Sequence, residues 1–440
     1  NILYMYNSSW PVFWKNILMV PNIRDEAWVW SIEWIDYYKS RNIWILEKWD
    51  YLLLPDCTKD TTEDMLRWYS DLKINHIEKD NIIYLEWEWK IWDLSYWMRE
   101  RIKTIISIDK KVKKLLPFID SESSDNLAKY IWLETDRNRT TWEIINNKFI
   151  AQSELRRRWV STPEWRLVYS WKEALTFFKE LKEKWYEKVA VKLLRAASWV
   201  WVFQAKTKDE LLKLFQWEEA IDEELIKWWI LIDGWVMWKF LTSPNIQFYV
   251  WKTKEQDKFI SCSDQILWKK DWEDWIIHKW NISDSEIMFN NDKLLKDLDI
   301  IKDWVREVWG YGIIWIDFVI MEDLETNKQI PYFMEINWRI NGSTTWAVLT
   351  QKITWNTILT PWWVNNNIWL NWVKSSNDFM NYLQKEKILY NPDTKTWVLP
   401  TNLSAIEKFQ KAMVLVIWTK KQEVKEILDH LYKQNENWNN

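Results

Sequence analysis

Short apolar runs and longer amphipathic stretches alternate along the first 140 residues. Residues 17–20 (ILMV) and 51–54 (YLLL) are continuous apolar runs ending at prolines, and 82–85 is a third; each reads as a short buried strand. Residues 98–116 carry apolar positions three and four apart and read as a helix. This alternation predicts an open α/β domain over 1–140, with no catalytic constellation of its own. Between 141 and 185 two helical segments follow, TTWEIINNKFIAQSELRRR and WKEALTFFKELKEK, and then a strand at 189–194. DELLKLFQWEEAI reads as a further helix, and 229–232 (WILI) and 246–250 (IQFYV) as strands. Ser283 and Asp284 are capping candidates for a mostly helical stretch reaching Val308. Two long apolar strands come next, at 313–321 and 332–336. After about Ser375, the run MVLVI (413–417) and a helix over 422–432 predict a small α/β unit spanning 375–433. The Asn-rich tail 434–440 is expected to be disordered.

The two long strands carry the main chemistry. IIWIDFVIM and PYFMEINWRI each hold one carboxylate in an apolar run, Asp317 and Glu335. An unpaired buried charge is costly, so such strands rarely accept one. The connection EDLETNKQ suits a hairpin, and a register symmetric about Thr326 sets the two carboxylates opposite each other. Like charges directly opposite destabilise a sheet, whereas a divalent cation between them reverses the sign. Asn337 continues the Glu335 face with a neutral oxygen, and Arg339 follows two residues later with a fork suited to carboxylate or phosphate. All-oxygen ligands point to Mg²⁺ or Mn²⁺ rather than zinc. The alternative is an edge hairpin with its acids in water; four polar residues in phase favour the inward reading. A second segment, KVAVKLLRAASWVWVF, ends a strand at Lys192 and enters a small-residue loop through Ala197, Ser198, Trp199 and Trp201. Lys148, in INNKFIAQ, has nothing local to distinguish it from a surface lysine.

Composition changes one thing. Apolar and charged fractions of 48% and 28% are ordinary for a globular chain, and the net charge of −4 gives no basis for a nucleic-acid or membrane-surface partner. No apolar run is long enough to span a bilayer and the first ten residues do not read as a signal peptide. Two cysteines without CxxC spacing suggest a reducing cytoplasm. His76, His278 and His430 form no ligand motif, and no GxSxG or cysteine-centred nucleophile is present. The anomaly is 43 Trp against 4 Gly, where usual glycine content would give roughly 31. Trp159 (LRRRWVSTPE) and Trp185 (KEKWYEKVAVK) stand where helices end and a glycine is expected, and Trp199 and Trp201 interrupt a small-residue loop. The expectation is that most of these tryptophans are glycine codons, UGA read with a table that assigns it to Trp. UGG at Trp199 and Trp201 would overturn that expectation. With glycine at both, the loop reads RAASGVGVF and can aim backbone N–H groups at phosphates.

Taken in order, NNK, VAVK, the flexible loop, IDF and MEINWRING resemble the ATP-grasp superfamily over about 141–360. The resemblance implies an α+β catalytic unit in two lobes over 141–370, between a pre-ATP-grasp domain and a small C-terminal domain. It makes Lys148 and Lys192 ligands of ATP phosphates, with Lys192 also acting in phosphoryl transfer, and Ala197, Ser198, Trp199 and Trp201 part of the phosphate-covering loop. Asp317, Glu335 and Asn337 become magnesium ligands, and Arg339 a catalytic residue facing an acyl phosphate. Asp233 takes the hinge position near adenine or ribose, where the family often has glutamate. Gly342, Ser343 and Thr344 form the turn at the substrate end, and His278 and Gln265 are candidates for lining the substrate pocket. LETDRNRTTWEIINNK and TWVLPTNLSAIEKFQKAMVLVI look similar to the pheganomycin-type peptide ligases. The implied activity is ATP-dependent joining of a small-molecule carboxylate to an amine, with amino acids or peptides as the expected substrates. The competing expectation is a non-catalytic nucleotide-binding or interaction module with a degenerate site. Trp199, Trp201 and Trp315 are the departures from the pattern that would favour it.

Overall fold

The apolar runs are strands where their patterning places them. In a computed structural model of the chain, β1 (Ile17–Val20), β2 (Tyr51–Pro55), β3 (Ile82–Leu85), β4 (Lys114–Pro117) and β5 (Glu134–Thr135) form a parallel sheet in the order β3-β2-β1-β4-β5. The structure describes residues 17–20, 33–74, 77–85, 94–108, 112–118, 121–135, 138–184, 186–193, 202–217, 230–235, 239–268, 277–283, 288, 290–323, 326–354, 362–370, 372–417, 422–423, 426–427 and 430–431. The helix expected over 98–116 is Tyr96–Ile108, and the run KLLP beyond it is β4. A four-residue apolar run has no periodicity to separate strand from helix, and here burial between sheet neighbours decides it.

A second, antiparallel sheet follows: β6 (Trp165–Val168), β7 (Lys188–Leu193), β8 (Val202–Ala205) and β9 (Ile230–Trp235), ordered β6-β9-β7-β8. Helices Trp171–Glu183 and Lys208–Trp217 bury Phe177, Phe178, Leu211 and Phe215 against Val191 and Ile232 on one face of this sheet. The third sheet joins β10 (Lys239–Thr242), β11 (Pro244–Val250), β12 (Lys258–Trp268), β13 (Ile277–Ser283), β14 (Gly312–Glu322), β15 (Gln329–Asn337), β16 (Trp362–Trp369), β17 (Trp397–Asn402) and β18 (Lys411–Ile417). Strand β14 is its hub, pairing with β15 along one edge and with β10 and then β11 along the other. Strands β17 and β18, from the stretch read as a separate C-terminal unit, continue this sheet through β16.

Helix Asp292–Glu307 covers the inner face with Leu294, Leu298, Ile301 and Val305 against Ile246, Ile314 and Phe333. Its cap is Asn291, which accepts the Leu294 N–H; Ser283 instead ends β13. Asp284, Trp185 and the tail 434–440 lie outside the described residues. Among the described residues no helix is long and apolar enough to cross a membrane.

Three tryptophans occupy a conformation that glycine ordinarily supplies. Trp132, Trp159 and Trp309 have φ of 61°, 67° and 63° at helix ends and are 77%, 87% and 74% exposed. In each case the next residue's N–H closes back on the carbonyl five residues earlier: Leu133 on Ala128, Val160 on Leu155, Gly310 on Val305. That is the left-handed helix stop in which a Cβ is a burden. Buried indole N–H groups of Trp142, Trp165, Trp315, Trp362 and Trp372 have no hydrogen-bond acceptor, a state that costs about 1–3 kcal/mol per buried donor. Trp44 and Trp338, by contrast, donate to Thr401 O (2.9 Å) and Tyr311 O (2.6 Å).

Replacing Trp132, Trp159 and Trp309 with glycine should stabilise the fold by about 1 kcal/mol at each site. Urea unfolding of the single and triple variants measures this, and lower stability in all three would contradict the glycine reading.

Candidate functional site

Asp317 and Glu335 are direct register partners in the β14–β15 pair. Symmetry about Thr326 gives the right pairing for an incomplete reason. Near the hairpin tip the pairs are Glu322↔Gln329 and Phe318↔Phe333, a register that carried onward would set Met334 opposite Asp317. One extra residue in β15 at Met334, a β-bulge, advances Glu335 into that place and brings Asn337 opposite Trp315. Met334 and Glu335 therefore lie on the same side of the strand: Met334 lines a cleft with Val319 and Met321, while Glu335 faces Asp317. Gln152, fully buried, donates through Nε2 to the Met334 carbonyl at 3.1 Å and so partners the backbone group at the irregularity.

Gln152 belongs to helix Lys148–Arg157, and that helix also delivers Lys148. The sequence TTWEIINNKFIAQSELRRR is two helices rather than one, because Asn147 leaves helical geometry at ψ 110° and its side chain accepts the N–H groups of Phe149 and Ile150. The break starts the second helix at Lys148, whose Nζ lies 3.1 Å from Glu335 Oε2. Asn337 Nδ2 approaches Glu335 Oε1 at 3.3 Å, and Arg339 Nη2 approaches Asn337 Oδ1 at 3.4 Å. The buried Arg339 guanidinium also lies over the rings of Phe118 and Trp315, at 5.5 and 5.8 Å.

The two carboxyls differ electrostatically. Burial, followed by the facing Glu335, pushes Asp317 well above the ordinary carboxylate range. Burial also acts to raise Glu335, but Lys148, Lys192 and Arg339 outweigh it and hold that carboxyl below its usual value. Asp317 Oδ1 accepts two carboxamide N–H groups, from Asn245 and Gln265, both at 2.6 Å. The donor set fits a hard divalent cation: two facing carboxylates and an amide oxygen, with no nitrogen or sulfur ligand, in a place where a positive charge relieves repulsion.

Lys192 and Asp233 form a buried ion pair across β7 and β9. Asp233 also lines the cleft of ≈ 350 Å³ together with Pro163, Ala190, Gly234 and the site-facing side chains Val319, Met321, Tyr332 and Met334. The cleft lies between the four-stranded sheet and the β14–β15 hairpin, with an apolar body and one carboxylate at its wall. The structure thus gathers Lys148, Asp317, Glu335, Asn337 and Arg339 on one face, with Lys192 near enough to bias Glu335. Ala197, Ser198, Trp199 and Trp201 lie outside the described residues. Asn245 and Gln152 were not anticipated. Asn245 had a signal in NIQFYV, where Asn and Gln alternate with Ile and Phe and so share the strand face opposite the one the helix covers. Gln152 had none, since its partner is 182 residues away.

No protein-family model and no curated protein matches this sequence. Solved structures do. N5-carboxyaminoimidazole synthetase from Staphylococcus aureus, complexed with ADP, is similar with a TM-score of 0.57 over 97% of this chain and 99% of that chain, at 10% identity. L-amino acid ligase from Bacillus licheniformis gives 0.52 over 95% and 97%, at 11% identity. The biotin carboxylase domain of 2-oxoglutarate carboxylase from Hydrogenobacter thermophilus gives 0.54 over 92% and 86%, at 11% identity. These are ATP-grasp enzymes, and this chain has the ATP-grasp fold.

The Gln152→Leu substitution should cost about 1–3 kcal/mol, because it strands the Met334 carbonyl without a donor. Chemical denaturation checks this; unchanged stability would show that the bulge does not need Gln152.

Proposed function

We propose that this chain is an ATP-dependent ligase that joins a carboxylate to an amine through an acyl phosphate, releasing ADP and phosphate. The observation that carries the reading is the face-to-face pair Asp317 and Glu335, with Asn337, Lys148 and Arg339 ranged around it on one sheet face. A magnesium or manganese ion held by Asp317, Glu335 and Asn337 would offset the charge of the nucleotide phosphates. The fold supports a nucleotide site, and similar structures were obtained with ADP or ATP.

The cleft beside Asp233 suits the base and sugar of the nucleotide, its apolar walls taking the flat ring and the carboxylate a polar edge. Lys192, drawn from Asp233 to the phosphates, and Lys148, drawn from Glu335, then steady the transferring group electrostatically. A substrate carboxylate oxygen attacks the γ-phosphorus as the bond to ADP breaks. Arg339 steadies the resulting acyl phosphate. An amine nitrogen attacks the acyl carbon, phosphate leaves, and the amine gives up a proton. No bond to the protein is formed. Of the candidate substrates, amino acids or peptides are favoured by the likeness to an L-amino acid ligase and by the flanking sequence resemblance. The reading places the reaction on small molecules in the cytoplasm, without nucleic acid or membrane.

Indoles at Trp199 and Trp201 would obstruct a phosphate-covering loop, and a chain that carries them favours the second reading, a nucleotide-binding module without turnover. One assay separates the two: protein with glycine at both positions, Mg-ATP, a panel of amino acids, and ADP release as the signal. Substrate-dependent ADP is expected, and its absence across the panel would count against the ligase. In the same assay Glu335→Gln should lower turnover about 100-fold or more while preserving the fold. Activity equal to the unsubstituted protein would sink the metal assignment.

A further inference from the structure

Two carboxamides converge on a single oxygen of one proposed metal ligand. Asn245 Nδ2, from β11, and Gln265 Nε2, from β12, each reach Asp317 Oδ1 at 2.6 Å. All three side chains are buried, at 2%, 7% and 3% exposure. A carboxylate oxygen has two lone-pair directions, so two N–H donors at Oδ1 use both. The remaining oxygen, Oδ2, is the one left for a cation.

The donors are themselves held. Asn245 Oδ1 accepts from Gln247 Nε2 at 2.9 Å and from Ser343 Oγ at 3.1 Å. Gln247 Nε2 also donates to Ser343 Oγ at 2.6 Å, and Gln247 Oε1 accepts from Thr344 Oγ1 at 2.7 Å. The network therefore runs from Asp317 through β11 to the turn that opens helix Gly342–Thr354. None of these amides or hydroxyls carries a net charge, and the two donors at Oδ1 hold the Asp317 carboxylate in one orientation. Without them a carboxylate can rotate about its last bond and offer either oxygen or both.

We infer that Asn245 and Gln265 are positioning residues that lock Asp317 into single-oxygen ligation of the divalent cation. The inference rests on the metal-dependent ligase reading above. It makes the amide pair part of the metal site even though neither amide meets the metal. Outer partners of this kind typically change metal affinity by about 10–100-fold when removed.

The test is Mn²⁺ binding in the presence of ADP, followed by the loss of the free-ion paramagnetic resonance signal, with metal-free ADP binding and thermal unfolding measured alongside. Gln265→Met keeps the length and removes the donor. It should weaken Mn²⁺ binding about 10-fold or more while leaving metal-free ADP binding unchanged. Asn245→Leu should do the same. Should either variant fail to fold, Gln265→Asn retains the amide but withdraws it by one methylene, and weaker Mn²⁺ binding is expected there too. Glu335→Gln runs in parallel. If it loses Mn²⁺ while the folded amide variants bind normally, the positioning role is wrong and the metal site stands. If Glu335→Gln also binds Mn²⁺ normally, the metal reading itself has failed.

Discussion

Two carboxylates held opposite each other in a buried sheet are the constraint around which the rest of this site is arranged. Left alone, Asp317 and Glu335 repel, and burial makes the repulsion stronger. Their surroundings resolve the conflict unevenly. Lys148 meets Glu335 directly, and more distant cations reinforce it. Asp317 meets the neutral amides of Asn245 and Gln265, whose N–H groups favour its charged form but do not outweigh burial and the facing Glu335. The site is thus asymmetric, with one acid already countered by a lysine and the other lacking a cationic partner among the contacts described above. Under the proposed function, a divalent cation held there would supply charge at the second acid and would leave Lys148 available to phosphate.

The same arrangement explains why the cleft and the metal site are contiguous. The β14 residues Asp317, Val319 and Met321 face one way, so the acid and the apolar cleft wall share a strand face. On β15 that face is extended by the consecutive pair Met334 and Glu335, which only a bulge allows. Lys192 and Asp233 close the far side from the smaller sheet. Under the proposed function this buried pair would keep each charge partnered before binding and leave Asp233 to a polar group of the nucleotide once Lys192 turned to its phosphates.

Much of this was legible before any coordinates. Asp317 and Glu335 stand out because apolar strands seldom carry a lone acid, and their in-phase continuation survives as far as Asn337; Arg339 lies past the end of β15 and reaches back to Asn337. Three strands of the first sheet were visible as apolar runs, while β4 was absorbed into the helix expected over 98–116 and the two residues of β5 form no apolar run. What sequence could not show was long-range company. Asn245, Gln152 and the Lys192–Asp233 pairing depend on register and on packing between segments far apart in the chain. Helix limits were misjudged where a single side chain makes the cap, at Asn147 and Asn291. The helix end at Trp159 was read as a glycine position from its neighbours alone, and its positive φ agrees.

The bulge at Met334 also separates two parts of the hairpin that would otherwise be geared together. In a regular ladder, an odd change in tip length transmits a half-period shift along the whole strand and turns every following side chain over. Here the phase is reset between the tip and the acids, and it is anchored from outside the hairpin by Gln152. The described tip residues Glu322, Asp323 and Gln329 lie on the far side of that anchor from the acids. That makes the tip a convenient handle for a tag or a fluorophore, set apart from the acids by the bulge and by Gln152.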